Sequence, residues 1–264
     1  MHPILSLAEI RIHPVKSLGG FTVPEARLTD RGLEHDRRWM LVDEQGDFVT
    51  QREVPALACL HTVAAAAGFR VTDLRDGAAL DLPWEQTSGA ERMCSVWSDR
   101  VRTRVGEPAW GAWFSARVGR AVDLVYMPDT TRRRTDGRYA TGVTSLSDGF
   151  PYLVVSQASL DELNARLEQP VPMDRFRPNL VIGGGTPFQE DQWTDLAIGA
   201  ARFRLVKPCA RCAIVATDQQ SGVRGKEPLL TLATYRRQGS KVLFGMNAMG
   251  DAEGVVRVGD PVVA

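Results

Sequence analysis

The sequence contains little cysteine and little histidine, and the few that occur are unevenly placed. Four cysteines, at positions 59, 94, 209 and 212, occur in 264 residues, and all four histidines precede residue 62. So few cysteines at such spacings do not make a disulfide scaffold, which favours a reducing compartment. A structural zinc site is also disfavoured, because Cys209 and Cys212 form the sole Cys-x-x-Cys pair and no histidine stands near them.

Net charge and long apolar runs are missing as well. Lysine plus arginine balance aspartate plus glutamate at 32 each, which removes the basic excess expected of a nucleic-acid-binding protein. The apolar run at residues 63–67 is far shorter than a membrane span, and Pro3, Glu9 and Arg11 interrupt the N-terminal segment. We therefore expect a cytoplasmic globular protein with no nucleic-acid partner and no membrane anchor.

Short strand-like segments dominate the first half of the chain. Ile10 and Ile12 alternate with polar residues, which predicts a half-buried strand. Residues 39–42 and 48–50 flank a turn that ends in glycine, which predicts a β-hairpin. The first clear helix is predicted at residues 108–118, with proline in its first turn and Gly119 at its end.

A polar stretch at residues 129–149 separates this half from the next. Loops of that length inside a compact protein are usually functional or disordered, and we place a domain boundary just before it, giving residues 1–125 and 126–264. Beyond it, Ser159 and Glu162 predict a capping box for a helix that stops before Pro170. Many short strands with few helices predict a mainly β (α+β) fold of two β-barrel domains.

The residues with the clearest chemistry lie at 206–215. Lys207 and Arg211 flank the two cysteines, and cationic neighbours favour the thiolate, which attacks electrophiles and binds metals. The apolar residues 213–217 predict a strand, which argues against a thioredoxin-type pair, because such a pair opens a helix. Residues three apart on a strand face opposite sides, so we expect one cysteine in a cavity and prefer Cys212. On this motif alone, two structural thiols remain the alternative.

Residues suited to anion binding are spread along the chain. Lys16 and Ser17 lie on a loop closed by glycines, Arg37 precedes a strand, and Arg177 is followed closely by Asn179. Guanidinium groups suit phosphate and planar heterocycles, and hydroxyl and amide groups add neutral donors. Taken singly, each of these charges is more typical of a solvated surface.

Several separated motifs, in the same order, resemble the MOSC proteins (molybdenum cofactor sulfurase C-terminal domain) that carry an N-terminal MOSC β-barrel domain. This group includes the mitochondrial amidoxime reducing component and its bacterial relatives. The motifs lie at residues 12–17, 36–39, 156–167, 176–179, 209–212, 225–228 and 258–261. The resemblance runs almost from end to end.

The resemblance implies a molybdenum–molybdopterin cofactor with Cys212 as the thiolate ligand of the metal. Asp148 is a further catalytic candidate, as a proton-handling carboxylate. A buried dianionic phosphate and an electron-rich pterin need converging donors, which would give the scattered cations one purpose. The implied cofactor contacts are Lys16, Ser17, Arg37, Ser147, Asp148, Arg177, Asn179, Ala210, Arg211 and Asn247, the last where some relatives have tyrosine.

The implied reaction is the two-electron reduction of N-hydroxylated compounds such as amidoximes, hydroxylamines and N-hydroxylated bases. No cysteine follows Cys212, so we expect no ferredoxin-like domain and a separate electron-donor protein from an iron–sulfur, flavin or haem reductase chain. One alternative is a carrier that holds the cofactor or a persulfide on Cys212 without turnover. Another is a pyridoxal-phosphate enzyme, which would need a Schiff-base lysine in the pocket.

Overall fold

The computed structural model describes residues 4–264, and within them 21 short strands accompany three α-helices. The mainly β fold class is confirmed. The helices are α1 (Pro108–Val118), α2 (Gln157–Asn164) and α3 (Leu229–Tyr235). Four 3-10 turns lie at Pro55–Cys59, Met173–Phe176, Gln189–Gln192 and Ala213–Ala216.

The strands divide almost equally between the two halves of the chain. Those of the first half are β1 (Ser6–Ile12), β2 (Phe21–Val23), β3 (Glu25–Thr29), β4 (Gly32–Leu33), β5 (Trp39–Val42), β6 (Leu60–Ala65), β7 (Gly68–Asp73), β8 (Ala79–Pro83), β9 (Glu91–Val96), β10 (Asp99–Val105) and β11 (Asp123–Tyr126). Those of the second half are β12 (Arg133–Arg134), β13 (Val143–Thr144), β14 (Tyr152–Ser156), β15 (Leu180–Gly183), β16 (Asp195–Ile198), β17 (Ala201–Ala210), β18 (Arg237–Gln238), β19 (Lys241–Gly250), β20 (Val255–Arg257) and β21 (Val262–Val263).

The largest sheet combines both halves of the chain. Its strand order is β2-β1-β15-β14-β19-β17-β16-β21, and β18 pairs with β19. The predicted strand at residues 10–12 is the end of β1, which runs antiparallel to β15 with Ile10 opposite Leu180. In β1, Ile10 and Ile12 alternate into the core beneath this sheet, and a β-bulge between Leu7 and Glu9 brings Leu7 into the same core. The first strands therefore belong in space with the second half, and the boundary near residue 125 stays a prediction.

β3 and β4 form a small sheet with β20, and the other strands of the first half form two sheets, β5-β11-β10-β9 and β6-β7-β8. The predicted hairpin is reduced to a single bridge between Val42 and Phe48, and the strand partner of β5 is β11. Every residue of β5 is buried, so its backbone groups need partners, and β11 supplies a ladder that a local turn does not.

Local signals located one helix well and another poorly. α1 has the predicted bounds, buries Trp110 and Phe114, and ends at Gly119, whose φ of 73° lies in the left-handed region that favours glycine. The cap of α2 lies three residues before the predicted Ser159, and the helix ends at Asn164, so the capping-box prediction was wrong. The Ser156 side chain is the cap, whereas Ser159 donates to the buried carboxylate of Glu190. No helix within residues 4–264 is long and apolar enough to cross a membrane; the compartment stays a prediction.

Candidate functional site

One cleft lies between the large sheet and the smaller sheets. Every site residue predicted from the sequence lines it. The empty space in and around the cleft, including open solvent at its mouth, is about 820 Å³. The predicted residues on its walls are Lys16, Ser17, Arg37, Ser147, Asp148, Arg177, Asn179, Ala210, Arg211, Cys212 and Asn247. Their proximity is a finding of the structure, whereas their roles stay predictions.

Lys16 occupies a buried position on the loop after β1. Its side chain is 6% exposed, and Nζ donates to the carbonyl of Leu146 at 2.9 Å and to Oδ1 of Asp148 at 2.6 Å. Desolvation by burial lowers the pKa of Lys16 to about 8, against the opposing effect of Asp148. The ammonium group can therefore exchange its proton near neutral pH. Ser17 follows with a φ of 71°, which turns the chain along the cleft wall.

Asp148 lies at the mouth of the cleft between two cations. Its second oxygen, Oδ2, accepts from Arg52 at 3.3 Å, and its side chain is 60% exposed. Partial desolvation acts to raise the pKa of Asp148, but Lys16 and Arg52 outweigh it and lower the pKa below its ordinary range. The carboxylate thus stays ionised, and these surroundings argue against Asp148 as the proton-handling residue. Lys16 is better suited to that role.

A buried arginine within the polar stretch 129–149 shapes the segment that carries Ser147 and Asp148. Arg133 donates to the backbone carbonyls of Ser145, Ser147 and Asp148, and its Nε donates to Asp99 of β10 at 2.8 Å. Because these carbonyls have a fixed donor, the segment has one defined conformation. The stretch is therefore ordered, and Arg133 is a site-supporting residue that the sequence pattern did not single out.

Arg37 connects the two halves of the chain at the base of the cleft. Nη1 donates to Asp36 at 2.6 Å and to Oδ1 of Asn179 at 3.1 Å, and Nη2 donates to the carbonyl of Arg177 at 3.0 Å. Asp36 is fully buried, which by itself raises its pKa, but Arg37 and His13 lower that pKa to about 2. Arg37 is thus largely satisfied by the protein and holds Asn179 in place.

Arg177 differs from Arg37 because its guanidinium group makes no hydrogen bond or ion pair to any residue in 4–264. It follows the 3-10 turn Met173–Phe176 with a φ of 55°, which directs the chain into the cleft. Desolvation and the neighbouring Arg37 lower the pKa of Arg177 to about 9. A half-buried cation with this little compensation is suited to an anionic ligand.

The cysteine segment departs from its predicted conformation. β17 ends at Ala210, and the apolar residues after Cys212 form the 3-10 turn Ala213–Ala216, so the strand predicted at 213–217 was wrong. Both Cys209 and Cys212 line the cleft, so the prediction of opposite faces was also wrong. A β-bulge between Pro208 and Ala210 disrupts the alternation on which that prediction depended.

The two thiols have different partners. Arg211 donates from Nη1 to Sγ of Cys209 at 3.0 Å and from Nη2 to the carbonyl of Phe176 at 2.8 Å, while its Nε is buried without a partner. Sγ of Cys212 makes no hydrogen bond within residues 4–264. Lys207, expected beside the thiols, instead has its Nζ 4.6 Å from the ring centroid of Tyr139. The sulfur of Cys212 is therefore more available to a ligand than that of Cys209, which already accepts a hydrogen bond from Arg211.

Side chains of the types that commonly bind metals do not form a cluster in the part of the chain that the structure describes. Among residues 4–264, no group of three or more histidine, cysteine, aspartate or glutamate side chains could hold a metal ion. Asn247, on β19, donates to the carbonyl of Lys207 at 3.3 Å and closes the cleft on that side.

A buried amide pair links Ser17 to the chain beyond Cys212. Gln51 donates to the carbonyl of Ser17 at 2.7 Å and to Gln219 at 3.1 Å, and Gln219 donates back to Gln51 at 3.1 Å. Such a pair satisfies both side chains in a site closed to solvent. It therefore fixes the Lys16–Ser17 loop relative to the 3-10 turn that follows Cys212.

The other wall residues were not predicted to line the site, and most of them enter the cleft only through the fold. The additional lining residues are Thr50, Arg52, Gly149, Phe150, Tyr152, Leu153, Phe176, Cys209 and Ile214.

Mixed β sheets closing around a cationic, thiol-containing cleft define a class of ligand-binding β protein with a soft metal-ligand candidate. Comparison with family models sharpens this class. Residues 4–121 match the MOSC N-terminal beta barrel domain, and residues 141–263 match the MOSC domain. The chain belongs to the family of MOSC proteins with an N-terminal MOSC β-barrel domain, as the sequence motifs indicated.

Its relatives include proteins of two descriptions. The chain is 32% identical to human mitochondrial amidoxime-reducing component 1, over 97% of this chain and 82% of that protein. It is 34% identical to rice (Oryza sativa subsp. japonica) molybdenum cofactor sulfurase, over 92% of this chain but only 32% of that protein. Among solved structures, the YUAD protein of Bacillus subtilis aligns over 99% of this chain and 94% of that chain, with 9% identity and a TM-score of 0.43.

Proposed function

We propose that this protein is a molybdenum-cofactor-dependent reductase of N-hydroxylated compounds, with amidoximes, hydroxylamines and N-hydroxylated bases as its substrate class. The observation that carries the proposal is that one cleft contains both a guanidinium group on Arg177 and a thiol on Cys212, neither of which has a hydrogen-bond partner within residues 4–264. The similarity to amidoxime-reducing components over nearly the whole chain supports the same conclusion.

The donors in the cleft fit a molybdenum–molybdopterin group. A thiolate is the ligand that a soft, sulfur-bound metal prefers, and Cys212 would supply it. Arg177 would meet the phosphate, and the buried Nε of Arg211, which lacks a partner, would serve as a further donor. The remaining predicted contacts, from Lys16 to Asn247, would orient the pterin. When bound, the group supplies the two-electron redox chemistry that breaks an N–O bond.

Protons must reach the reacting group from the cleft residues or from solvent. Reduction of an N-hydroxylated group to the parent amine or amidine and water consumes two electrons and two protons. Lys16, with a pKa of about 8, holds a transferable proton on Nζ inside the cleft. Asp148, exposed at the mouth and bonded to that Nζ, keeps the ammonium oriented. Electrons would come from a separate donor protein.

Metal analysis combined with turnover tests this proposal. The purified protein should contain about one molybdenum per chain and should reduce benzamidoxime with a chemically reduced viologen dye as the electron source. The Cys212→Ser variant should lose both the metal and the activity. Cys209→Ser is the matched control, because it removes the other cleft thiol, and it should keep its molybdenum.

A second candidate function is a carrier that holds the cofactor or a persulfide on Cys212 without turnover. The similarity to rice molybdenum cofactor sulfurase favours it, although this chain covers about a third of that protein's length. Metal-free protein with a persulfide on Cys212, and no reduction of benzamidoxime, would replace the reductase proposal with this one.

The pyridoxal-phosphate alternative rests on a single residue. Lys16 is the cleft lysine that such an enzyme would need, but its Nζ is bonded to Asp148 and to the carbonyl of Leu146. Borohydride treatment in the presence of pyridoxal phosphate should leave Lys16 unlabelled.

A further inference from the structure

Trp97 occupies an unusual position for a large aromatic residue. It forms, with Ser98, the two-residue turn between β9 and β10, and its φ is 57°. Such turns ordinarily carry glycine, asparagine or aspartate, because bulky side chains disfavour the left-handed region. Trp97 is also 49% exposed, so packing in the core does not account for it. Strained, exposed residues of this kind are more often found at functional sites.

Arg52 lies on the Trp97 ring. Its Cζ is 4.4 Å from the ring centroid, which is close enough for a cation–π interaction. Phe48 packs edge-on against Trp97, at a centroid distance of 5.0 Å and with an angle of 65° between the two rings. The indole therefore acts as a platform that holds one guanidinium group in place.

The guanidinium group of Arg52 retains unused donors at the mouth of the cleft. Its one hydrogen bond within residues 4–264 joins Nη2 to Oδ2 of Asp148 at 3.3 Å. Asp148 is held more closely by Lys16, at 2.6 Å through its other oxygen. An incoming anion could therefore bind Arg52 while Asp148 remains paired with Lys16.

The charge of the cleft favours such an anion. Among its lining residues, the single carboxylate is that of Asp148, and the cations are Lys16, Arg37, Arg52, Arg177 and Arg211. Of these cations, Arg37 is bonded to Asp36 and Asn179, and Arg211 is bonded to Cys209 and Phe176, with only its Nε left for the cofactor. Arg177 is the cation that the cofactor would occupy, which leaves Arg52 for a different ligand.

We propose that Arg52, held on Trp97, binds an acidic group of the substrate, so that N-hydroxylated compounds carrying a carboxylate or phosphate are preferred to neutral ones. The inference rests on the proposed reductase function, whose substrate class it narrows. A guanidinium group pairs with either anion through two parallel hydrogen bonds. Because Trp97 already restricts the Arg52 side chain, less side-chain freedom is lost when the anion binds.

The test compares benzamidoxime with its 4-carboxy and 4-phosphono derivatives. In the wild-type holoenzyme, kcat/KM should be about tenfold higher for at least one acidic derivative, and the acidic derivative with the larger ratio identifies the anion. Arg52→Met should remove this ratio, mainly through KM, and Trp97→Ala should reduce it. Arg100→Met, which removes an exposed arginine of the same β9–β10 hairpin that does not line the cleft, should keep the wild-type ratio.

Direct binding separates this inference from the proposed function. Calorimetry should show that the holoenzyme binds 4-carboxybenzamidine about tenfold more tightly than benzamidine, and that Arg52→Met abolishes the difference. If benzamidoxime is reduced and the ratio of kcat/KM between acidic and neutral substrates is the same in wild type and Arg52→Met, the Arg52 subsite is overturned and the reductase function stays intact. Binding selectivity without turnover of any compound would overturn the reductase function instead.

Discussion

Lys16 and Asp148 lie 132 residues apart in the sequence and form an ion pair of 2.6 Å at the cleft. The pair joins the loop after the first strand to the polar stretch in the middle of the chain. Lys16 is buried and Asp148 is mostly exposed. Because the carboxylate of Asp148 raises the pKa of Lys16, the protonation of Lys16 depends on this pair.

The stability of the protein should increase with pH in a window set by Lys16. Its pKa is about 8 in the folded protein and about 10.5 in an unfolded chain, so between these values the unfolded state binds more protons. The free energy of unfolding should therefore rise by about 1.5 kcal/mol from pH 8 to pH 9.5 through this group. Urea denaturation of wild type and Lys16→Met at both pH values measures it, because Lys16→Met lacks this contribution.

Two further variants test whether Lys16 causes this pH dependence of stability. Asp148→Asn removes the carboxylate that raises the pKa of Lys16, so the window should begin at a lower pH. Lys241→Met removes an exposed lysine at the start of β19, and its pH profile should match that of wild type. A difference between wild type and Lys16→Met that stays constant from pH 8 to pH 9.5 would contradict the prediction.

Replacement of Arg133 should destabilise the protein and loosen the segment 145–148. Arg133→Met removes the donors for three backbone carbonyls, which should cost about 3–5 kcal/mol, whereas Asp99 is exposed enough for water to solvate its carboxylate. Urea denaturation measures the loss, and hydrogen exchange should be faster at residues 145–149. Arg134→Met removes the exposed neighbouring arginine and should change stability by less than about 0.5 kcal/mol. Equal effects of the two substitutions would show that the hydrogen bonds of Arg133 to the segment 145–148 do not stabilise the protein specifically.

The Gln51–Gln219 pair should show energetic coupling. Each amide donates to the other at 3.1 Å, and Gln51 also holds the carbonyl of Ser17. Either substitution by alanine leaves a buried amide without its partner, so the two single costs should exceed the cost of the double variant. A double-mutant cycle in urea should give a coupling energy of about 0.5–3 kcal/mol. Strict additivity would mean that the two side chains act independently.

Sequence patterns predicted the elements whose signals are local. α1 was predicted to the residue, because a proline at its start and a glycine at its end act within a single turn. The strand at β1 followed from alternation, and the mainly β fold class followed from many short strands. The α2 cap was missed, because Ser156 and Ser159 are both plausible caps locally and the buried carboxylate of Glu190, distant in sequence, takes Ser159.

The candidate site shows the same division. Separated motifs identified the family and named eleven residues that the fold collects around one cleft. No local pattern predicted that Arg133 would hold the Ser147–Asp148 segment, that Lys207 would stack on Tyr139, or that Cys209 would share the cleft with Cys212. Each of these depends on a partner from another part of the chain or on a β-bulge in β17.

By itself, the sequence determined the family, the mainly β class and the identity of the thiol and cationic groups that form the cleft. The tertiary structure decided which of those groups are already satisfied and which remain available. Arg37 and Arg177 are the same kind of residue in sequence, yet the first is bonded to Asp36 and Asn179 and the second has no protein partner within residues 4–264. Hydrogen bonds between distant segments make that difference, because whether a partner is near depends on how the whole chain packs.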